Sequence, residues 1–256
     1  MDVAPGEIMV AQAAREINDR ERVFVGMRLP LIAFVVAKRT HAPNAVGLFE
    51  LGIVRDDPAP ELLYTMGDPP NVRGAVWCAR TVDLMGLLAR GEVDAGFIGG
   101  AEIDRHGNVN TTAIGAERAH PDVQLPGSGG GADIASLAKR LIVIMPHDKR
   151  RLREKVDFIT SPGYLAGGET RCAAGLPRGG PAVLITTRAV FRFVDDEAVL
   201  WSVHPEQSVE DVTANVGWDG LRIRSAGIER TPMPSPDVLR IIREYDPHGF
   251  WTRRGE

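Results

Sequence analysis

Cysteine is nearly missing from this sequence: two in 256 residues, Cys78 and Cys172, far apart along the chain. So sparse a supply excludes a disulfide framework and suits a reducing compartment. Long apolar runs are missing too. No stretch approaches the ~18–20 residues that a membrane-spanning helix needs. The opening MDVAPGEIMV has no basic region feeding an apolar one, so no secretory signal is read there. The expectation is a cytoplasmic protein without membrane association. Positive charge is not in excess: the formal net charge is −4, which offers nucleic acid and anionic lipid no general attraction. The basic run at 149–153 is followed closely by acidic residues and reads as a solvated face. No internal repeat or low-complexity tract appears.

What is present is an ordinary globular composition, 44% hydrophobic and 25% charged, in a chain long enough to bury a substantial core. Glycine is the unusual count. At 28 of 256 residues it stands near 11%, against about 7% on average, and the glycines cluster.

Apolar periodicity alternates between helix and strand. Residues 7–18 carry a helical stripe, and RVFVGM at 22–27 suits a strand. Residues 30–40 are apolar on most sides and read as a buried helix. The run AVGLFELGIV, 45–54, is continuous apolar strand except for Glu50. A helix over 79–90 ends at Gly91, a plausible glycine just past the helix C-terminus, and DAGFIGGAEI, 94–103, is a buried strand. A second helix and strand follow at 132–139 and 140–145. Residues 182–194 and 198–204 alternate around a turn at 195–197 and read as a hairpin. Ser208, with Asp211 three residues on, caps a short helix, and Ser235-Pro236 opens the last one. Continuous apolar strands separated by helices predict an α/β fold: a mainly parallel sheet covered by helices on both faces. One compact domain over residues 1–256 is expected, with loop-rich stretches at 56–73 and 162–181.

Three constellations carry possible chemistry. Glu50 interrupts an apolar strand, where an ionised carboxylate is costly to desolvate. It is either a strand-end or ion-paired residue, or a catalytic group at the ligand-binding edge of a parallel sheet; Gly52 beside it permits close approach of another backbone. Gly127-Ser128-Gly129-Gly130-Gly131 opens a helix. Such a loop is either a flexible surface connection or a cradle of N–H groups for a phosphate, a carboxylate or an acyl-transfer oxyanion. It is not a Walker A loop, and it matches the dinucleotide fingerprint only loosely. The third, GGAEIDRHGNVN at 99–110, reads as a hairpin with a polar tip. Glu102 and His106 hint at acid–base or metal chemistry, yet no second ligand cluster stands at a metal-site spacing, so no metal is expected. Met66 and Trp77 are expected to pack in the core.

In order along the chain, THAPN (40–44), E-x-G (50–52), GGAEIDRHGNVN, the G-x-G-G loop with ADI after it, VDFITSPGYL (156–165) and WSVHP (201–205) resemble the family I CoA-transferases. The match is strongest to the β subunit of glutaconate-type enzymes and runs through nearly the whole sequence. The resemblance implies the α/β fold these enzymes share with ribose-5-phosphate isomerase and glucosamine-6-phosphate deaminase. It implies that Glu50 is the nucleophile and that Gly127, Gly129, Gly130 and Gly131 supply oxyanion and substrate contacts. Gly52, Gly100, Ala101 and Glu102 are expected about the pocket. It further implies an α-subunit partner of related fold, an acyl-CoA thioester and a carboxylic acid as substrates, and no permanently bound cofactor. CoA would pass between acids by a ping-pong route through a glutamyl anhydride and a glutamyl-CoA thioester.

The sequence departs from the acetate and 3-oxoacid members, which draw a second oxyanion donor from an asparagine; none stands near 78–80 here. Relatives that hydrolyse CoA thioesters or open ring substrates make a CoA-ester hydrolase the alternative. A ligand sensor or a sugar-phosphate isomerase on the same scaffold is a third reading.

Overall fold

The computed structural model describes residues 2–117, 119–176 and 178–253. Where the sequence reads as one domain, the chain packs as two compact units, residues 1–97 with 233–256 and residues 98–232. The α/β class and the mostly parallel sheet expected from the sequence are found.

The first unit begins with helix α1 (Pro5–Arg15), strand β1 (Arg22–Phe24), helix α2 (Leu29–Arg39) and strand β2 (Val46–Phe49). It continues with β3 (Ile53–Arg55), α3 (Pro69–Val72), β4 (Trp77–Cys78), α4 (Thr81–Ala89) and β5 (Ala95–Ile98). The strand order is β5-β1-β2-β3-β4. The three apolar strands at its heart, β5, β1 and β2, are parallel, as runs buried on both faces should be. The expected strand over 45–54 is instead a hairpin: β2 and β3 pair antiparallel with Phe49 opposite Ile53. Periodicity misses this because both arms are equally apolar.

The second unit carries two short hairpins, β6 (Glu102–Ile103) with β7 (Val109–Asn110) and β8 (Ala113–Ile114) with β9 (Val123–Gln124). Helix α5 (Gly131–Leu137), strand β10 (Leu141–Ile144) and the single turn α6 (Thr170–Ala173) follow. Strands β11 (Pro181–Ile185), β12 (Ala189–Val194) and β13 (Glu197–Val203) come next, then α7 (Val209–Ala214), β14 (Arg222–Ile223) and β15 (Glu229–Arg230). Strand β10 pairs parallel with β11, and β11-β12-β13 run antiparallel. The expected hairpin about 195–197 is β12-β13; residues 182–188 belong mostly to a separate strand and turn before it. Ser208 caps α7, and its side chain accepts the Asp211 N–H as its sequence spacing predicts.

The chain then returns to the first unit as α8 (Pro236–Tyr245), with Ser235 at its N-cap and Pro236 in its first turn. Helices α1, α2 and α8 pack on one another. The Arg243 guanidinium grips the buried Glu7 carboxylate from α8 (2.6 Å), satisfying a charge that would otherwise be costly so far from water.

Candidate active site

Glu50 stands at the C-terminal end of β2, in a three-residue turn. The Gly52 N–H donates to the Phe49 carbonyl at 2.9 Å, and the carboxylate-bearing residue is half-buried. Parallel strands present such ends toward ligands. Two constraints make Gly52 obligatory. Its φ of 94° lies in the left-handed region, and a Cβ there would overlap the carbonyl of Ala79. That close approach serves a bond, because the Ala79 N–H donates back to the Gly52 carbonyl at 2.8 Å. Gly52 is therefore a hinge pin beneath Glu50, with its Cα face closed by backbone.

The loop-rich stretch after β3 is anchored from two sides. Arg55, buried to 3% exposure, donates to the carbonyls of Asp57 (2.9 Å), Asn71 (2.6 Å) and Arg73 (2.8 Å). From the other side, Tyr245 Oη donates to the Glu61 carbonyl (2.7 Å) and Trp251 Nε1 to the Leu63 carbonyl (2.9 Å). The tail holding Trp251 is itself ordered by the buried Asp246 carboxylate, which accepts the N–H groups of Phe250, Trp251 and Thr252. Met66 is buried here, as expected, but Trp77 is 48% exposed. It lies on β4, the last strand in the first unit's order, where no further strand covers it.

At the adjacent end of β1, Arg28 has φ 70° and ψ −119°, a conformation that costs a side-chain-bearing residue of order 1–3 kcal/mol. Its guanidinium lies 5.7 Å above the Trp251 ring. Sequence reasoning gives Arg28 no role, because nothing in Met-Arg-Leu-Pro signals a positive φ.

In the second unit the glycine loop is ordered from within. Gly127 (φ 95°) donates its N–H to the Thr111 carbonyl and Gly131 to that of Ser128, both at 2.8 Å. The Gly130 carbonyl accepts the first helical bond of α5, from Ile134 (2.9 Å). Gly127 and Gly131 are thus spent as donors. The N–H groups of Ser128 and Gly129, on exposed residues, find no acceptor among the described residues. A Cβ at Gly127 would meet nothing within 4 Å, so the space on that side is open.

The C-terminal end of α5 is tied down by Arg171. Buried like Arg55, it donates to the carbonyls of Ala135 (2.8 Å), Gly163 (2.7 Å) and Arg178 (2.7 Å). Burial pulls its pKa below the usual arginine value, and the carbonyl dipoles around it keep the cation tolerable.

The remaining expected site residues, Gly100, Ala101 and Glu102, lie at the start of the β6-β7 hairpin. Glu102 is only 1% exposed and fully engaged. Its carboxylate accepts Asn110 Nδ2 (2.7 Å), the Asp157 N–H (3.0 Å) and Arg153 Nη1 (3.0 Å). Its charge is thus met within this unit by Arg153 and two N–H donors. Ala101 donates its N–H to the Asn110 carbonyl, and Val109 packs where a Gly100 Cβ would stand. Asp104 caps the polar tip, accepting the His106 and Asn108 N–H groups at 3.0 Å. Burial raises its pKa, with the Asn108 side chain opposing. His106 donates from Nδ1 to the Asp196 carbonyl, so this hairpin is structural. Among the described residues no group of three or more His, Cys, Asp or Glu side chains is placed to hold a metal ion. No described helix is long and apolar enough to cross a membrane.

Glu50 with Gly52 belongs to the first unit, and the glycine loop with Gly100, Ala101 and Glu102 to the second. The chain matches the coenzyme A transferase family over residues 7–215. It is 35% identical to the B subunit of 3-oxoadipate CoA-transferase from Pseudomonas knackmussii, covering 93% of this chain and 91% of that one. It is 34% identical to the B subunit of glutaconate CoA-transferase from Acidaminococcus fermentans, covering 93% and 90%. The crystal structure of the latter enzyme superposes with a TM-score of 0.91 at 32% identity, over 98% of both chains. The decarboxylase AibA/AibB superposes with 0.83 at 28% identity, over 97% of both. With a half-buried glutamate at the end of a parallel strand and a glycine-opened helix in the family's order, the chain belongs to the coenzyme A transferase family.

Proposed function

We propose that this chain is the catalytic half of a two-subunit CoA-transferase and that Glu50 is its nucleophile. One observation carries the reading: Glu50 is half-buried in a turn whose backbone is fixed on both sides of Gly52. A carboxylate so held loses part of its hydration, the main reason carboxylates are poor nucleophiles in water.

A Glu50 oxygen attacks the thioester carbonyl, and the C–S bond breaks to leave a mixed anhydride and CoA thiolate. The thiolate then attacks the glutamyl carbonyl and expels the first acid as its carboxylate, giving a glutamyl-CoA thioester. An acceptor carboxylate reverses both steps and regenerates Glu50; no proton is gained or lost over the cycle. Each addition forms a tetrahedral oxyanion; taken by itself, the glycine loop keeps the Ser128 and Gly129 N–H groups without acceptors among the described residues, which suits such a charge. One such donor is worth about 3–4 kcal/mol. The missing asparagine near 78–80 leaves any second donor to the backbone or the partner. That partner is an α subunit, in keeping with relatives that are themselves one half of a named pair. Both of those relatives are named for acids with two carboxyl groups, and we infer the same class here. No permanently bound cofactor enters this chemistry.

The test is chemical trapping in the complex with the α subunit. With acyl-CoA present, borohydride or hydroxylamine should modify Glu50, read by peptide mass spectrometry; an unmodified peptide rejects the mechanism. The likeness to a decarboxylase structure favours a second reading, in which the scaffold processes a CoA ester without an acceptor acid. Rapid release of free CoA from acyl-CoA alone, with no acceptor, would select hydrolysis instead.

A further inference from the structure

The geometry points to Arg28 as the residue that holds the second carboxylate of a dicarboxylic substrate while Glu50 reacts at the other end. The inference rests on the CoA-transferase reading for the chemistry at Glu50, and on four observations for Arg28 itself.

Position comes first. Strands β1 and β2 are parallel neighbours with Phe24 beside Leu48, and the Val25 N–H donates to the Leu48 carbonyl at 2.9 Å. Beyond that register the two chains leave the sheet at the same end, β1 toward Arg28 and β2 into the turn that carries Glu50. Both residues thus follow the C-terminal ends of neighbouring parallel strands, Arg28 four residues after β1 and Glu50 one after β2. From one edge of the sheet, a glutamate and an arginine can then serve the two ends of a short diacid.

Strain comes second. The φ of 70° and ψ of −119° at Arg28 suit glycine and penalise any side chain. An arginine kept there, at the edge where parallel strands meet ligands, invites a functional explanation. Third, the guanidinium makes no ion pair with any described carboxylate and rests instead on the Trp251 ring. Its charge remains available to an anion. Fourth, the head is placed in advance. Trp251 is fixed through Nε1 to Leu63 and through its own N–H to Asp246, so the ring is a rigid rest for the planar cation. Arginine on such a rest suits a carboxylate, which it meets with two parallel N–H donors.

The experiment uses the complex with the α subunit. Acceptor acids are compared in pairs, each dicarboxylate against the monocarboxylate of equal chain length, by kcat/KM. In Arg28→Gln the dicarboxylate preference should fall by about ten- to hundredfold, the usual worth of one hydrogen bond to a charged group. Arg28→Lys should restore part of it, as a point charge without the fork. Arg28→Gly should lose the same preference while melting no lower than wild type, because it relieves the positive φ. An equal loss for both acids overturns the inference. So does a lower melting temperature of Arg28→Gly with preference retained, which would make Arg28 a clamp on Trp251. A third overturning result is an effect on the KM of acyl-CoA that disappears with dephospho-CoA esters, which would assign the guanidinium to a phosphate. If wild-type Glu50 cannot be trapped but dicarboxylate binding by calorimetry still needs Arg28, the transferase mechanism fails and this inference stands.

Discussion

The two units order their candidate groups by opposite means. The first sets a charged side chain, Glu50, on a short rigid turn. The second offers backbone N–H groups from a loop whose own glycines leave it conformational freedom. In the first, order comes from interlocked backbone: Gly52 is pressed on Ala79, accepts its N–H and donates its own N–H to Phe49. In the second, the Gly127–Thr111 and Gly131–Ser128 backbone bonds order the loop from within, and Arg171 grips the far end of α5. A side chain proposed to attack must not drift, whereas a loop proposed to bind an anion needs open donors; the two requirements favour different scaffolds.

The sharpest way to break this contrast is Glu50→Gln. Removing the proposed nucleophile should lower transferase kcat by about 10⁴-fold or more, with binding of acyl-CoA retained and the circular-dichroism spectrum unchanged. A loss below tenfold would show that the first unit supplies something other than the attacking group.

The glycines come next. Gly52→Ala meets both a backbone overlap and a positive φ, and should cost on the order of 4 kcal/mol in stability together with most activity. Gly127→Ala has the same kind of φ but open space around the new methyl, so the penalty should be about 1 kcal/mol. Urea midpoints of the two variants test this directly. Equal costs would mean that the packing about Gly52 is not what holds the turn.

The two buried arginines sharpen the comparison further. Replacing either by methionine leaves several buried carbonyls without donors and should cost about 3 kcal/mol. Their kinetic signatures should differ. Arg171→Met frees the C-terminal end of α5, whose N-terminal end is the glycine loop, so kcat should drop more than KM rises. Arg55→Met loosens the 56–73 loop and should raise KM more than it lowers kcat. Reversed signatures would exchange the roles given to these loops.

Much of this is legible in the sequence, and unevenly so. Helices α1, α2, α4 and α8 are visible because their stripes and end signals are local. The Ser208–Asp211 cap is visible for the same reason. The hairpin inside 45–54 is not, since two fully buried arms carry no alternation and only the positive φ of Gly52 marks the turn. The pairing of Glu102 is not visible either, because a carboxylate beside glycines has no sequence sign of its distant partner Arg153, 51 positions away. Arg55, Arg171 and Arg28 are equally silent: two act on backbone carbonyls, which have no side-chain signature, and the third through a dihedral angle. The order of motifs is the strongest clue to family, but motif order says nothing about which glycine N–H groups remain available.

The mildest expected effect near neutrality concerns acid. A directed hydrogen-bond chain runs through the second unit. Ser202 donates to Thr231 and Thr231 to His204 Nδ1, while His204 Nε2 donates to the Thr186 carbonyl. Thr186 in turn meets His147 Nδ1, and His147 Nε2 donates to the Val212 carbonyl. Burial keeps both histidines neutral near pH 7, holding each pKa down to about 4. The unfolded value is near 6.5, so the unfolded state takes up protons first. Stability is therefore full above about pH 6.5 and is lost as pH falls toward 4. At pH 5 the loss is on the order of 2 kcal/mol per histidine. The first unit has the opposite sort of group. Glu7 is desolvated by burial, yet the Arg243 and Ala4 hydrogen bonds prevail and its pKa is lowered. Its contribution is complete above the ordinary glutamate range and fails only below it. Between pH 6.5 and 5, hydrogen exchange should quicken around β12, β13 and α7 while α1 and α8 stay protected. Uniform quickening in both units would show that the histidine chain is not what sets acid stability.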